Sequence, residues 1–399
     1  CRYPLRVAVS VGAVALGPTL PPDDQATPIK VRVKLAGVLR ELAIDAGLQA
    51  GWSGVALTAG VTGEGLRPTT LKPWLDKAGV VSTLADGLVT LKLEAGATLG
   101  TEAITAEVAL REVTLKDGRQ EWAGLRALQI EGVRIADDVI EVGRVLVDNP
   151  RATARRDGRL ALLAGGLRLP PADPSAKAGE SSGDAGSAEK AGQGKGARGP
   201  GGAAADPDAP ALPPVPQLPA PIRLKQLEVR EVAIAVRDEA APGGAVDLTL
   251  GASVGLSGVV LGAEAPPAKL EVRASVPGVL GSLNIDGTLK TSLEAPSLEL
   301  GIALAGLTTG PLRSYLPPTL QGRVKDGRVG LRVQAGIGRV DPNSLRAQLS
   351  VTKLVYTEPG RERPFARVDR VALRADRLDL KARRFVLSEL AVEGIEANA

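Results

Sequence analysis

The sequence predicts a mostly β protein, an elongated antiparallel sheet built from two tandem repeat modules that each carry one short helix. Three observations lead to this class: a long internal repeat, stretches in which apolar and polar residues alternate, and Asp-Gly pairs between those stretches. Repetition at a fixed spacing indicates units that bury their apolar faces together. Alternation with period two is typical of a half-buried strand, and Asp-Gly suits a tight turn between two strands.

The repeat is clearest over thirteen residues. GVLRELAIDAGLQ begins at Gly37 and GVLGSLNIDGTLK begins at Gly278, 241 residues later, with seven identical positions and no gap. Further matches at spacings of 240 to 245 residues pair Leu71, Trp74 and Leu75 with Leu312, Tyr315 and Leu316, Ala85–Gly96 with Lys325–Gly336, and Val147 with Val392. So small a drift in spacing is what loop insertions produce.

The composition divides the chain into three parts. Residues 1–170 are predicted to form the first module and residues 221–399 the second. Residues 171–220 are rich in Ala, Gly and Pro with almost no large apolar side chain, so they are predicted to be a disordered linker. Ile222–Asp238 has no counterpart in the first module, and the first module continues past Ala154 where the second stops at Ala399. The first module is therefore expected to be truncated at its N terminus and the second at its C terminus.

The first module begins with three predicted strands, in which apolar residues alternate with polar ones or cluster briefly: Ile29–Leu35, Leu42–Ile44 and Val55–Leu57. A helix is predicted over Thr70–Val80, where apolar residues recur at helical spacing, with a counterpart at Leu312–Leu316. Trp74 and Tyr315 in these segments could line a ligand site, but packing of a short helix onto a sheet explains them as well.

After the helix, strands are predicted to form an antiparallel meander with Asp-Gly turns. The pairs begin at Asp86, Asp117, Asp157, Asp286 and Asp326. Carboxylates that recur in both copies, such as Asp45 and Asp286, could serve acid–base chemistry. Because Asp shapes turns through its own side-chain hydrogen bonds, a structural role in turns is the prediction.

Composition excludes several classes of function. The net charge is only +4, aromatic residues are 2%, and no run of Lys and Arg is interleaved with aromatics, so no nucleic-acid binding is predicted. Histidine is absent and Cys1 is the single cysteine, which removes the common zinc sites and the Ser-His and Cys-His pairs. Gly194, Gly196 and Gly199 match a dinucleotide fingerprint without its strand and helix. We therefore predict no enzyme, no catalytic residue, no metal and no cofactor.

The segment VLVDNPRATARRDGRLALL, which begins at Val145, resembles the AsmA-like superfamily. In that superfamily a strand ending in a Pro-containing turn leads to a second strand, a D-G turn and a short apolar tail. The match rests on Asn149-Pro150, Asp157-Gly158 and the leucines Leu160, Leu162 and Leu163, while Ala161 stands where the family usually has Asn. The order of features in each module is also similar to that of the large AsmA-like and TamB-like envelope proteins of Gram-negative bacteria.

The resemblance implies a long sheet bent into a groove with an apolar inner face, in a periplasmic protein that supports lipid transport or outer-membrane biogenesis. Its inner-membrane anchor would lie outside this chain. Phospholipids or other acyl lipids are the implied ligands. Strands with an aliphatic face, few aromatics and little helix to cover them agree with such a groove. The predicted groove residues are Leu42, Ile44, Val89, Leu91, Leu93, Val145, Val147, Leu283, Ile285, Val329, Leu331, Val333, Leu390 and Val392.

Two alternatives stay open from the residues themselves. The modules, or their sheets, could cover each other's apolar faces as ordinary β-sandwiches. The chain could also be a non-transporting repeat scaffold whose partners are other envelope proteins that it binds or spaces. The arrangement of the face that carries Leu91 and Leu331 distinguishes an open groove from a sandwich.

Overall fold

The computed structural model of this chain confirms the mostly β class, with strands making up 77% and helix 2% of the structure. It describes residues 5–13, 16–22, 25–67, 80–158, 161–169, 221–261, 266–292, 295–315, 326–341, 344–358, 360, 363–379 and 384–398. The predicted linker over residues 171–220, the three glycines within it and nearly all of the helix predicted at Thr70–Val80 lie outside these ranges.

Twenty-two strands belong to one sheet. They are β1 Leu5–Val11, β2 Leu16–Gly17, β3 Thr27–Leu35, β4 Leu39–Gly51, β5 Gly54–Leu66, β6 Val81–Ser82, β7 Gly87–Leu99, β8 Ile104–Asp117, β9 Gln120–Ile135, β10 Ile140–Asp148, β11 Arg151–Arg156, β12 Leu162–Ala164, β13 Leu167–Leu169, β14 Ile222–Asp238, β15 Val246–Leu261, β16 Ala268–Val276, β17 Leu280–Lys290, β18 Ser297–Leu307, β19 Gly327–Asp341, β20 Ser344–Thr357, β21 Ala366–Asp379 and β22 Arg384–Ala397.

The main line of strands runs from β1 through β3, β4, β5, β7, β8 and β9 to β10 and β11, and then from β14 to β22 in chain order. Three short strands branch from this line at β11: β12 pairs with β11, β13 with β12 and β6 with β13. Within the described ranges, β1 pairs only with β3 and β22 only with β21, so these two strands form the open edges of the sheet.

The sheet is mixed, whereas the sequence predicted an antiparallel one. Strands β10 and β11 pair in parallel with β14, placing Val147 opposite Val229 and Ala152 opposite Ile234. The short strand β2 also runs parallel to the end of β4. Parallel neighbours need a long crossover, and residues 157–221 provide it between β11 and β14. One continuous sheet thus joins the two halves of the chain.

Strands β10 and β11 follow each other end to end in one position of the sheet, and both pair with β9 on one side and β14 on the other. Asn149, with a φ of 49°, and Pro150 separate them. The Asn149 N–H donates to the Arg230 carbonyl at 3.0 Å, and the Ala233 N–H donates to the Pro150 carbonyl at 2.9 Å. The predicted Pro-containing turn is therefore a kink within a strand, because neighbouring strands on both sides keep the chain extended.

The prediction that Asp45 and Asp286 occupy turns is wrong. Both lie within strands, opposite Lys30 and Glu271 respectively, and Asp45 accepts a hydrogen bond from Arg32 at 2.9 Å. Both side chains are exposed, so water solvates their charge. The strands that contain Leu42–Ile44 and Val55–Leu57 are also longer than predicted, because small residues beside these segments continue the pairing.

A turn does follow Asp117, where Gly118 has a φ of 58° in the loop between β8 and β9. The Asp117 carboxylate accepts hydrogen bonds from the Ala85 and Asp86 N–H groups at 2.9 and 2.8 Å. This carboxylate holds the segment before β7 against the end of β8. The predicted Asp-Gly turn is thus confirmed here.

The helix predicted at Leu312–Leu316 is a 3-10 helix over Pro311–Tyr315. Its Tyr315 hydroxyl donates a hydrogen bond to the Asp238 carboxylate at the end of β14. The side chain thus fastens the short helix to the sheet.

Candidate functional site

The sheet has one apolar and one polar face. In β7, Val89, Leu91 and Leu93 point to one side, and Thr90 and Lys92 to the other, because successive side chains of a strand alternate. Cross-strand pairs carry each side onto the neighbouring strands. We call the side that carries Leu91 the apolar face and the opposite side the polar face.

A row of cross-strand partners runs along the apolar face through fifteen strands without a polar side chain. It passes from β4 to β22 through Leu48, Leu57, Ala95, Val108, Ile130, Val145, Leu227, Leu256, Leu270, Gly287, Leu300, Val333, Val351, Val371 and Val392. Because neighbouring strands lie about 4.8 Å apart, the row extends roughly 65 Å across the sheet.

The apolar face is incompletely covered. Every member of the row is half-buried except Val392, which is 53% exposed at the sheet edge. All strands of the described residues belong to one sheet, so there is no second sheet among them to cover this face. Only ten apolar residues of the described ranges are buried. The sandwich alternative is therefore not the arrangement observed in the described part of the chain.

Ion pairs join neighbouring strands on the polar face. Arg32 Nη2 lies 2.9 Å from Asp45, Lys92 Nζ lies 2.8 Å from Glu112, and Arg370 Nη1 lies 3.0 Å from Glu393. These side chains are largely exposed, so water and salt screen each pair and its contribution to stability is small.

A line of β-bulges crosses the sheet from β8 to β14. Glu112, Asn149 and Glu231 have φ values of 53°, 49° and 50° in β8, between β10 and β11, and in β14. Leu110 and Leu115 are five residues apart, yet they pair with Leu93 and Val89 on one face. The bulge reverses the alternation, so the strand keeps its apolar residues on the same face on both sides of the line. We call this line the bulge seam.

Polar side chains join the strands of the bulge seam. Arg126 donates to Asp148 at 3.1 Å and to Glu231 at 2.9 Å, and Asn149 Nδ2 donates to Glu231 at 3.2 Å. The hydrogen bond from Asn149 holds the pKa of Glu231 below its ordinary value. The hydrogen bond from Arg126 and the positive charge of that residue act in the same direction. These contacts connect β9, β10 and β14 where the two halves of the sheet meet.

All fourteen predicted groove residues lie in strands, and cross-strand pairs bring them onto the apolar face. Leu42 and Ile44 reach Val89 and Leu91 through β5, and Leu283 and Ile285 reach Val329 and Leu331 through β18. Val145 and Val333 belong to the row, and Val147 and Leu93 are joined through Leu128 and Leu110. Leu390, which is 73% exposed, and Val392 lie on the edge strand β22.

Other residues of the apolar face were not predicted, for example Leu128, Ile130, Leu227, Leu256 and Ile302. Their strands alternate as clearly as β7 does, so period two could have identified them. Bulges interrupt that period: VALREVTL in β8 and LEVREVAI in β14 both place Arg-Glu between two alternating apolar pairs. At each Arg-Glu pair the apolar positions shift by one residue. A search for strict alternation therefore does not assign the residues on both sides of the pair to the same face.

Among the described residues, no group of three or more Asp, Glu or Cys side chains is placed to hold a metal ion. No helix in those ranges has the length and apolar character to cross a membrane. The fold and the site define the class of protein: a single open β-sheet with one continuous, partly exposed apolar face. Comparisons with protein families, curated proteins and solved structures found no match to this chain.

Proposed function

We propose that this chain binds the acyl chains of phospholipids along its apolar face, as a segment of an AsmA-like envelope protein that supports lipid transport or outer-membrane biogenesis. The observation that carries the proposal is the unbroken apolar row from Leu48 to Val392. No enzymatic activity is part of the proposal.

Exposed aliphatic surface requires a partner. Each Å² of apolar surface removed from water contributes about 25 cal/mol, and continuous apolar patches above a few hundred Å² mark binding sites in soluble proteins. The row spans roughly 65 Å, more than twice the hydrocarbon thickness of a bilayer, which is about 30 Å. Several acyl chains could therefore lie on the face at once, which suits a conduit better than a single-ligand pocket.

We also propose that the sheet consists of two tandem modules and bends into a groove. The positions of equivalent strands support the modules. Both ends of β16 lie 241 residues after the corresponding ends of β3, and β19 begins 240 residues after β7 begins. Positive φ values recur at equivalent positions: Gly37 and Gly278, Gly65 and Gly306, Glu112 and Lys353, Asn149 and Gly394. Bulges bend strands and increase their twist, and their recurrence supports a bent sheet.

The proposed location is the periplasm, with an inner-membrane anchor in a segment outside this chain. This part of the proposal rests on the resemblance carried by the residues from Val145 to Leu163.

Photo-crosslinking tests the proposal. A photoreactive residue at Leu91 or Leu331, on the apolar face, should capture phospholipid in cells that produce the protein. The matched controls are Lys92 and Arg332, which are adjacent in sequence but lie on the polar face. They should capture little lipid.

Equal capture at both faces would show non-specific contact with membranes and contradict the proposal. Absence of lipid at Leu91 and Leu331, with envelope proteins captured instead, would favour the repeat scaffold.

A further inference from the structure

The edge strand β22 holds the same kind of position in the second half of the sheet as β10 and β11 hold in the first. Val392 follows Val147 by 245 residues, and both lie on the apolar face. A residue with a positive φ comes two positions later in each case, Asn149 at 49° and Gly394 at 63°. The two places in the sheet therefore share an apolar position and the bulge that follows it.

A matching ion pair joins each of these strands to the strand before it. Arg126 of β9 lies 3.1 Å from Asp148, and Arg370 of β21 lies 3.0 Å from Glu393. In each half the carboxylate directly precedes the residue with the positive φ. β22 and β10 are therefore equivalent strands, joined to their preceding neighbours in the same way.

The two places differ at their second edge. In the first half, β14 covers that edge as a parallel neighbour: Val229 lies opposite Val147, and the Asn149 N–H donates to the Arg230 carbonyl at 3.0 Å. No strand of the described residues covers the same edge of β22. Val147 is half-buried as a result, whereas Val392 is 53% exposed.

The open edge of β22 also exposes other large apolar side chains. Leu390 is 73% exposed and Ile395 is 70% exposed. An edge strand presents unpaired N–H and C=O groups, and a long apolar edge is a template on which another strand can pair. The equivalent edge in the first half shows which kind of strand fits, namely a parallel one with the pattern of β14.

The charges of β22 define how the accepted strand differs from β14. Glu389 stands where β10 has Arg144, and Arg144 lies 3.2 Å from Glu228 of β14. A cation in the place of Glu228 therefore suits β22. Glu393 keeps the negative charge of Asp148, so the arginine that β14 places opposite Asp148 suits β22 unchanged.

The two carboxylates of β22 are only partly neutralised within the chain. Both pair with Arg370, Glu389 at 2.5 Å and Glu393 at 3.0 Å. Among the described residues two carboxylates thus share one guanidinium, which leaves negative charge beside the open edge. Like charges on adjacent strands destabilise a pair, so this charge disfavours the pairing of β22 with β22 of a second copy and favours a basic partner strand.

We propose that the open edge of β22 binds a parallel β-strand of a partner polypeptide, in which apolar residues alternate with polar ones and basic residues face Glu389 and Glu393. Main-chain hydrogen bonds supply the affinity of such strand addition, and the side chains on both strands set the register. The apolar residues of the added strand extend the apolar face by one strand. The inference concerns the edge of the sheet and does not depend on lipid binding.

The test is fluorescence anisotropy of two labelled peptides mixed with the full chain. Both peptides have the sequence of residues 221–239, one with the natural Glu228 and one with Glu228→Lys. The chain variant is Glu389→Lys. The matched control is Glu299→Lys, which makes the same charge change at an exposed residue of the interior strand β18.

The lysine peptide should bind the natural chain and should lose at least about threefold in affinity for Glu389→Lys. The peptide with Glu228 should gain affinity for the same variant, because opposite charges on neighbouring strands attract and like charges repel. Glu299→Lys should leave the ratio of the two affinities unchanged. Glu389→Gln, a second variant should Glu389→Lys fail to fold, should bring the two affinities closer together. A ratio that is the same in every chain, or no binding of either peptide to the natural chain, would overturn the inference.

Hydrogen exchange then locates the bound peptide on the natural chain. The lysine peptide should protect amides of β22 and leave those of β1, the other open edge, unchanged. Protection of β1 alone would overturn the inference. Protection of β22 that rises with the concentration of the chain in the absence of peptide would assign the edge to a second copy, and so would overturn the assignment to a different partner.

Discussion

At the scale of single residues, Asp238 fastens three parts of the fold. It accepts hydrogen bonds from the Tyr315 hydroxyl of the 3-10 helix, from the Ala240 N–H at 2.8 Å and from Arg156 of β11 at 2.9 Å. Burial acts to raise the pKa of Asp238, but these hydrogen bonds and the Arg156 charge outweigh it and hold the pKa below the ordinary value of 3.8. One ionised carboxylate therefore stabilises the parallel junction between the two halves.

This pKa sets a direction for acid sensitivity. A folded-state pKa below the unfolded value contributes stability above about pH 4, which is lost as the pH falls through the folded pKa. We expect hydrogen-exchange protection of the β11 and β14 amides to decrease between pH 5 and pH 3. In the Asp238→Asn variant the protection should be lower at pH 5 and should change less with pH. An equal decrease in both proteins would assign the acid sensitivity to other groups.

Sequence reasoning worked best at this scale. Alternation predicts that Leu91 and Lys92 lie on opposite faces, and the strands β7 and β19 that this requires are present, because adjacent side chains of an extended strand point in opposite directions. It was wrong for the turn role of Asp45 and Asp286, because an Asp on the polar face satisfies the same local pattern as an Asp in a turn. Cross-strand partners distinguish the two roles, and these partners come from distant parts of the chain.

At the scale of elements, the β-bulges let a strand keep its apolar side chains on one face of the sheet. The bulge at Lys353 in β20 has a φ of 55°, as the one at Glu112 in β8 has a φ of 53°. Val351 pairs with Val333, and Tyr356, five residues further, pairs with Val329 on the same face. The bulge therefore lets β20 stay apolar on one side along its whole length.

A left-handed backbone at Lys353 predicts an unusual response to glycine. The conformation costs a non-glycine residue about 1 kcal/mol or more, so Lys353→Gly should raise the free energy of unfolding by roughly 0.5–1 kcal/mol. The matched control, Gln348→Gly, removes an exposed polar side chain from a regular position of the same strand and should lower it. Urea denaturation measures both changes. A loss of stability in Lys353→Gly as large as in Gln348→Gly would show that the bulge is not held as described.

At the scale of the whole molecule, stability comes from contacts between successive strands rather than from one closed core. Few apolar residues are buried, and each strand contacts mainly its neighbours in the sheet, as each unit of a repeat protein contacts its neighbours. An open sheet of this kind leaves aliphatic surface in contact with solvent along its length. We infer that this surface is retained because lipid covers it.

The sequence predicted the β class and the apolar faces, but not the way the two halves join. The parallel pairing of β10 and β11 with β14 depends on a crossover of more than sixty residues, for which no local pattern specifies a register. Nor could alternation decide between an open sheet and a sandwich, because a half-exposed strand and a covered one share the same pattern. The half-buried state of Leu91 and Leu331 distinguishes them only in the folded molecule.

Lipid retention by the purified Leu331→Asp variant tests the central claim most directly, with Arg332→Asp as the matched control on the polar face. Lipid phosphorus per chain and the melting temperature are measured on each protein. If the apolar face is an open wall that solvates acyl chains, Leu331→Asp should lose most of its lipid, because a charge there would face hydrocarbon. Its melting temperature should stay within a few degrees of that of Arg332→Asp, which should keep its lipid. Unfolding of Leu331→Asp, in a protein that carries no lipid in its natural form, would contradict the account.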